Sequence, residues 1–452
     1  MSRPWHEMTA LALGRGIAEG AIDPVELTQH FLDRIAEFDP EHAVYLRTTP
    51  ERALSEAAAA RRRAMNGARL GPLDGVPMSW KDLYDSAGVV TTGGTPLLGD
   101  RVPRRDAIVL QRATRAGMVC LGKTNTPELA YSGIGLNPHY GTPVNPFDAE
   151  TRRAPGGSSA GAAVSVASGL APAAIGSDTG GSVRIPAAWN GLVGLKTTWG
   201  ALPLTGVIPL SPSLDTVGPL SRDVADAGAI FALLGARRAA DLDGVELSRA
   251  RLLVPTTLVW EDLDDTVAAA AGAALDRLAD AGAALVRAEV PEFSECAELV
   301  ARHGNIASAE GYALWRDILE ASPERVEPSI LARFRQGKEH SAADIEAVHL
   351  GLAAIKLRYQ ARCAGFSALL TPTVAIPPPP LDRIESDHDY HVERYLKTVR
   401  NTRLANQLGL CALTLPCGLG GGLPVGLTLM AAPGTEGALL RLGRAVERAL
   451  QN

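Results

Sequence analysis

Apolar residues recur first with the period of a helix and later in short continuous runs. Met8, Leu11, Leu13 and Ile17 predict an amphipathic helix over 4–20. Asp23-Pro24-Val25-Glu26 supplies a capping residue, a proline at the first helical position and a glutamate three residues after the cap. Leu27, Phe31, Ile35 and Phe38 then line one face of a second helix, and a third covers roughly 50–66. From about 74 the texture changes. A strand over 76–80, a helix near 105–116 and a strand over 118–122 lead into a loop-rich passage from Asn125 to Pro146. A helix then follows Ser158, and the strand Ala173-Ala174-Ile175 runs into a second glycine-rich turn. A helix near 222–234 precedes a more charged region, 236–365, read as strand 251–254, helix 263–281, strand 284–288 and further helices. Leu369-Leu370-Thr371-Pro372-Thr373 begins the return to strands. Helix 398–409, strand 411–416, a triple-glycine turn at 420–422, strand 425–430 and helix 435–450 close the chain. Strands alternating with helices predict an α/β sheet covered on both faces.

The chemistry concentrates between Ala154 and Lys196. This stretch is almost free of charge and carries two Gly-Gly-Ser steps, Gly156-Gly157-Ser158 and Gly180-Gly181-Ser182. A flexible linker has such a composition, but here Ala162, Val164, Val166, Leu170 and Ile175 interrupt it as packed segments do. A serine hydroxyl is a weak nucleophile that needs a base beside it. Glycines before a serine let backbone N–H groups crowd toward one point, and such a crowd stabilises an oxyanion. Asp178-Thr179-Gly180-Gly181-Ser182 fits that description. The competing reading is that both serines cap helices.

A base is suggested by composition. Only six of the 44 basic residues are lysine, and Lys81 follows the apolar run Val76-Pro77-Met78-Ser79-Trp80. Lysine loses its proton when buried, whereas arginine keeps it. The alternative for Lys81 is a structural ion pair with Asp82 or Asp85. His139 also resembles the histidine of a Ser-His-Asp triad, but it sits in the turn Asn137-Pro138-His139-Tyr140-Gly141 with no evident acid partner.

The stretch resembles the signature of the amidase signature family, serine hydrolases that cleave carboxamides. The likeness extends to Gly75-Val76-Pro77-Met78-Ser79-Trp80-Lys81-Asp82 and Gly122-Lys123-Thr124-Asn125 upstream. Downstream it takes in Ser213-Leu214-Asp215-Thr216-Val217-Gly218-Pro219 and Gly422-Leu423-Pro424-Val425-Gly426-Leu427. Several motifs in order are far more specific than any one. The resemblance implies a central mixed, twisted β-sheet flanked by helices on both faces. It also implies a Ser–Ser–Lys triad: Ser182 as nucleophile, Ser158 as the bridging serine and Lys81 as base. A cis peptide before Ser158 is implied in the same way. Backbone N–H groups of Thr179, Gly180, Gly181 and Ser182 become the oxyanion-hole candidates. Asp178 and Arg184 flank the nucleophile and are read as a pair fixing the loop; the alternative is that Arg184 binds a substrate carboxylate through its planar fork. Tyr131 is a candidate substrate contact. The same signature serves free-standing amidohydrolases and the glutaminase component of tRNA-dependent amidotransferases, and a non-catalytic scaffold of the same fold is a third class.

Length and composition bound the rest. The 452 residues are read as one amidase domain, with a helical segment 1–70, a signature core 71–235, a variable region 236–365 shaping the substrate site and a return to the sheet over 366–452. A net charge of −6 gives no basic footprint for nucleic acid, and Arg61-Arg62-Arg63 is read as a solvated face. No apolar run of membrane-spanning length occurs. The five cysteines form no C-x-x-C pair, which predicts reduced thiols in a cytoplasmic protein. Asp387-His388-Asp389-Tyr390-His391 is read as a polar surface loop rather than a metal site. The expected partner is a small-molecule amide, with no cofactor, no metal, no nucleic acid and no membrane; a homodimer stays open.

Overall fold

The computed structural model describes residues 3–41, 43–148 and 150–451. Eleven strands form a single sheet: β1 (Tyr45–Thr48), β2 (Pro77–Lys81), β3 (Val119–Thr124), β4 (Ala173–Asp178), β5 (Val193–Lys196), β6 (Thr216–Ser221), β7 (Arg251–Pro255), β8 (Ala284–Ala288), β9 (Ala368–Pro372), β10 (Cys411–Gly420) and β11 (Leu423–Ala431). Their order across the sheet is β1-β3-β2-β4-β6-β5-β10-β11-β9-β7-β8. β2 pairs parallel with β3 and β4, and β7 parallel with β8 and β9, while the centre from β4 to β9 is antiparallel. The sheet is therefore mixed, as the resemblance implied.

Alternate residues of the central strands enter different apolar clusters. Leu413 and Leu415 of β10 and Leu427 and Leu429 of β11 pack in the largest cluster; Ala412 and Met430, their neighbours along the strands, pack in another. Successive strand side chains point to opposite faces, so both faces are covered and the strands read as continuous apolar runs. The helix Glu436–Gln451 and the helix Asp265–Asp280 pack on β10, and the helix Ala160–Ala167 packs on β2 and β4. No helix among the described residues is long and apolar enough to cross a membrane.

The helix starts follow the residues. Asp23 Oδ1 accepts from the N–H groups of Val25 and Glu26, opening the helix Pro24–Phe38. The helix predicted over 4–20 is instead a single 3₁₀ turn at Trp5–Glu7 and a helix over Ala10–Ala18, because the Thr9 hydroxyl caps a fresh start. The helix expected over 398–409 is also divided. The helix His388–Val399 ends, and a second, Arg403–Gln407, begins after a break. Within the break, Asn401 donates to the carbonyls of Val259 and Pro372, and Thr402 Oγ1 donates to Gly180 O. The stretch Asp387–His391 is the capped first turn of the longer of these helices, not a surface loop. Arg61 and Arg63 bind the carboxylates of Asp23 and Asp74, so the triple-arginine run is not simply a solvated face.

Candidate active site

β2 and β4 are parallel neighbours whose carboxy-terminal ends lie side by side, the usual place for a site in an α/β sheet. β2 ends in Lys81 and β4 ends in Ser177-Asp178. Lys81 is fully buried, and its Nζ lies 2.7 Å from Ser158 Oγ and 2.9 Å from Ser177 Oγ. Burial lowers its pKa to about 7, against the upward pull of Asp215 and Asp178. The ion pair weighed for Lys81 does not form: Asp82 pairs with Lys123 and Arg47, and Asp85 with Arg101. Lys123 and Lys196 are equally buried, so scarcity of lysine alone did not single out Lys81. What separates them is their partners. Lys123 has the Asp82 carboxylate and Lys196 donates to the carbonyls of Thr197 and Leu410, whereas Lys81 touches two hydroxyls.

Neither serine caps a helix. Ser159 and Val183 occupy the cap positions of the helices Ala160–Ala167 and Arg184–Trp189. The Gly157–Ser158 peptide is cis. The two serine turns are joined through the backbone, where Ser159 N–H donates to Ser182 O at 3.1 Å. Ser182 Oγ makes no hydrogen bond to Ser158 or to any other group among the described residues; it faces a cavity of about 90 Å³. Thr179, Gly180, Tyr131 and Arg403 line that cavity with it.

Asp178 organises the Ser182 turn. Its carboxylate accepts from the N–H groups of Gly181 and Val183, from Arg184 Nε and Nη2 at 3.0 Å each, and from Asn406 Nδ2. Burial alone would raise its pKa, but the Arg184 guanidinium holds it well below the usual carboxylate range. Arg184 is fully buried and also donates to Asn406 Oδ1 at 2.7 Å, with Nη1 left unpartnered among the described residues; it fixes the loop and does not line the cavity that Ser182 faces. The four N–H groups expected to form the oxyanion hole do not all point the same way. That of Gly181 is already given to Asp178 at 2.8 Å, so it is not aimed at the cavity. Those of Thr179, Gly180 and Ser182 have no acceptor among the described residues. Gly181 has φ +130°, and a Cβ there would lie 2.2 Å from Thr402 Oγ1; only glycine fits.

His139 does have an acid neighbour, Glu128, at 3.3 Å. The histidine lines a different cavity, from which Ser182 is absent, so the pair is no alternative to Lys81. Sequence reasoning missed four residues. Ser177 was a lone hydroxyl at the end of the run Ala-Ala-Ile-Gly. Asp215 lay in the motif 213–219 without a role; it accepts from Thr179 Oγ1 and the N–H groups of Leu210 and Ser211, and burial raises its pKa to about 6. Arg403 and Asn406 sit far away in the sequence, in a stretch, 402–406, that resembles stand-alone family members but gives neither residue a role in the site. Among the described residues, no group of three or more His, Cys, Asp or Glu is placed to hold a metal ion.

The sequence model of the family described as Amidase matches residues 26–440. The chain belongs to that family. With it comes the class of reaction, hydrolysis of carbon–nitrogen bonds in amides. Over 421 residues the chain is 39% identical to the 2-amino-5-chloromuconic acid deaminase of Comamonas testosteroni, covering 91% of this chain and 89% of that protein. It is 33% identical to a glutamyl-tRNA(Gln) amidotransferase subunit of Chloroflexus aggregans, over 98% of this chain and 96% of that one. A crystal structure of an amidase superposes with a TM-score of 0.87 at 31% identity, covering 98% of this chain and 99% of the other. The amidase-signature fold is thus shared over nearly the whole length.

Proposed function

We propose that the protein is an amidohydrolase that cleaves a small carboxamide through an acyl-enzyme on Ser182. The observation that carries this reading is the buried, 2.7 Å contact of a lysine with Ser158, at the foot of a turn that presents Ser182 to a small cavity. A lysine with a pKa near 7 is half unprotonated at neutral pH and is matched to general-base work. Ser182 Oγ attacks the carbonyl carbon and gives its proton to Ser158, whose own proton passes to Lys81 Nζ. The N–H groups of Thr179, Gly180 and Ser182 receive the oxyanion, each donor of this kind being worth roughly 3–4 kcal/mol of barrier. As the tetrahedral intermediate collapses, the carbon–nitrogen bond breaks and the leaving nitrogen takes a proton back through Ser158. Water then hydrolyses the ester, giving the acid and restoring the Ser182 hydroxyl. The Ser158–Ser182 step closes on substrate binding, since catalytic hydrogen bonds are often long in a free enzyme. The small cavity and the relative named as a deaminase both favour ammonia as the leaving group.

A second reading rests on the amidotransferase relatives, which match over almost the whole chain. One experiment separates the two. The isolated chain is treated with a fluorophosphonate and assayed for ammonia release from simple amides and from glutamine. The expected result is one adduct per chain, mapped to Ser182, with hydrolysis of at least one simple amide. Ser158→Ala is expected to lower turnover by on the order of 10²–10⁴-fold with an unchanged melting curve. An adduct on Ser158 or a cysteine would sink the assignment. Activity confined to glutamine and to mixtures with partner proteins would favour the amidotransferase.

A further inference from the structure

The cavity in front of Ser182 contains one formal charge. Arg403 lines it, and no aspartate or glutamate does so among the described residues. Arg403 Nε donates to Val399 O at 3.3 Å, but its two terminal nitrogens have no hydrogen-bond or ion-pair partner among the described residues. Arg184 and Arg222 are engaged more fully, although Arg184 Nη1 also lacks a partner among the described residues. Arg184 has Asp178 and Asn406, and Arg222 donates to the carbonyls of Met8, His6, Pro172 and Val166. Burial lowers the pKa of Arg403, while Tyr395 and Tyr131 push it the other way, and an arginine stays charged at neutral pH.

One recess shared with Arg403 carries a carboxylate, Asp262, which pairs with Lys397 at 2.9 Å. Another adjoining recess is lined by Arg403 together with Arg333, His388 and His391, and by no carboxylate among the described residues. Arg333 lies 3.8 Å from the centroid of the Tyr395 ring and donates to Tyr131 O at 2.9 Å, which holds both tyrosines as walls beside Arg403. Arg403 is half-buried, the terminal nitrogens of its guanidinium are free of protein partners among the described residues, and such a planar fork matches a carboxylate. The break at residues 400–402 brings it there. Thr402 is tied to Gly180 O at 2.7 Å, so the residue next to it in sequence is held against the Ser182 turn.

We propose that Arg403 receives a carboxylate carried by the substrate, so that the amide cleaved is the monoamide of a short dicarboxylic acid. This rests on the amidohydrolase reading and narrows it. An α-amino acid amide fits less well, because the cavity offers no acidic side chain to an ammonium group.

The test compares malonamate, succinamate and glutaramate with propanamide, butanamide and pentanamide, in which a methyl group replaces the carboxylate. The expected result is a kcat/KM preference for at least one acid amide on the order of 100-fold, the worth of a desolvated charge pair. Arg403→Gln should reduce that preference to a few-fold while leaving hydrolysis of the neutral amides and fluorophosphonate labelling of Ser182 within a few-fold of the parent. Arg403→Lys should keep part of it. An equal loss on charged and neutral amides, or glutamine preferred to every acid amide, overturns the proposal. Binding is read separately in Ser182→Ala, where at least one of malonamate, succinamate and glutaramate should raise Tm and should fail to do so once Arg403→Gln is added. Loss of labelling and of all hydrolysis, with this shift intact, would overturn the catalytic reading alone; no shift would overturn the role of Arg403.

Discussion

Lys81 meets two hydroxyls and no carboxylate at its tip, and that choice of partners decides its chemistry. A carboxylate in contact would hold the ammonium form and remove the base. Asp215 and Asp178 act on it from further off, and burial outweighs both, leaving the pKa at about 7 against an ordinary 10.5. In the proposed mechanism the active species is the neutral amine. Activity should therefore be low below pH 6, rise as the proton leaves through about 7, and stay level above it. Lys81→Arg keeps its charge at every accessible pH, so it should lose on the order of 10²–10⁴-fold in kcat, close to the loss in Lys81→Ala. A pH–rate profile of the three proteins checks this. An active Lys81→Arg enzyme with the parent profile would assign the base elsewhere.

At the scale of the element, the Ser182 turn is held by one carboxylate. Asp178 gathers two N–H groups of the turn, the Arg184 fork and Asn406. Asp178→Asn leaves the Arg184 cation buried without its counter-charge. Breaking a buried pair in this way costs about 3–5 kcal/mol, so the urea midpoint at pH 7 should fall markedly and labelling of Ser182 should slow. The sign with pH follows from the depressed pKa. The folded carboxylate ionises below its ordinary value of 3.8, so its contribution is present in full above that value and is lost as pH falls below it. The parent should therefore lose stability more steeply than Asp178→Asn in acid. Equal midpoints for both proteins at pH 7 would remove Asp178 from this role.

The same scale shows what the sequence could and could not reveal. The serine turns and the strand before Lys81 were legible because glycine pairs and a fully apolar run leave local marks. β1, β5 and β6 were not expected. β1 and β5 have only four residues each, and β6 carries Gly218-Pro219, which reads as a turn. Pairing made β6 a strand, with Pro219 opposite Ile175 of β4. The helix break at 400–402 was hidden because its cause lies elsewhere in the chain. Asn401 and Thr402 are ordinary helix residues until Pro372, Val259 and Gly180 stand beside them. Arg403 was invisible for that reason: its place in the site is a property of the break.

Taken as a whole, the molecule divides the work between the ends of its strands and the region laid over them. The wall holding Thr179, Gly180 and Ser182 comes from the turn after β4. The facing wall comes from later segments: Val300 in the helix Glu292–His303, Asn305 and Ala307 at the start of the helix Ile306–Ala321, and Tyr395 and Val399 in the helix His388–Val399. Chemistry and choice of substrate should then be separable. Ala307 is nearly buried and lines the cavity, so Ala307→Leu adds bulk there without touching Lys81, Ser158 or Ser182. Filling a packed site costs about 1–3 kcal/mol, a modest drop in Tm. The expected outcome is a shortened acyl preference: kcat/KM should fall steeply with chain length across a series of straight-chain amides, while a small methyl fluorophosphonate labels Ser182 at nearly the parent rate. A uniform fall across the series, matched by slower labelling, would place the effect on the Ser182 turn itself and would deny the facing wall its part in selecting the substrate.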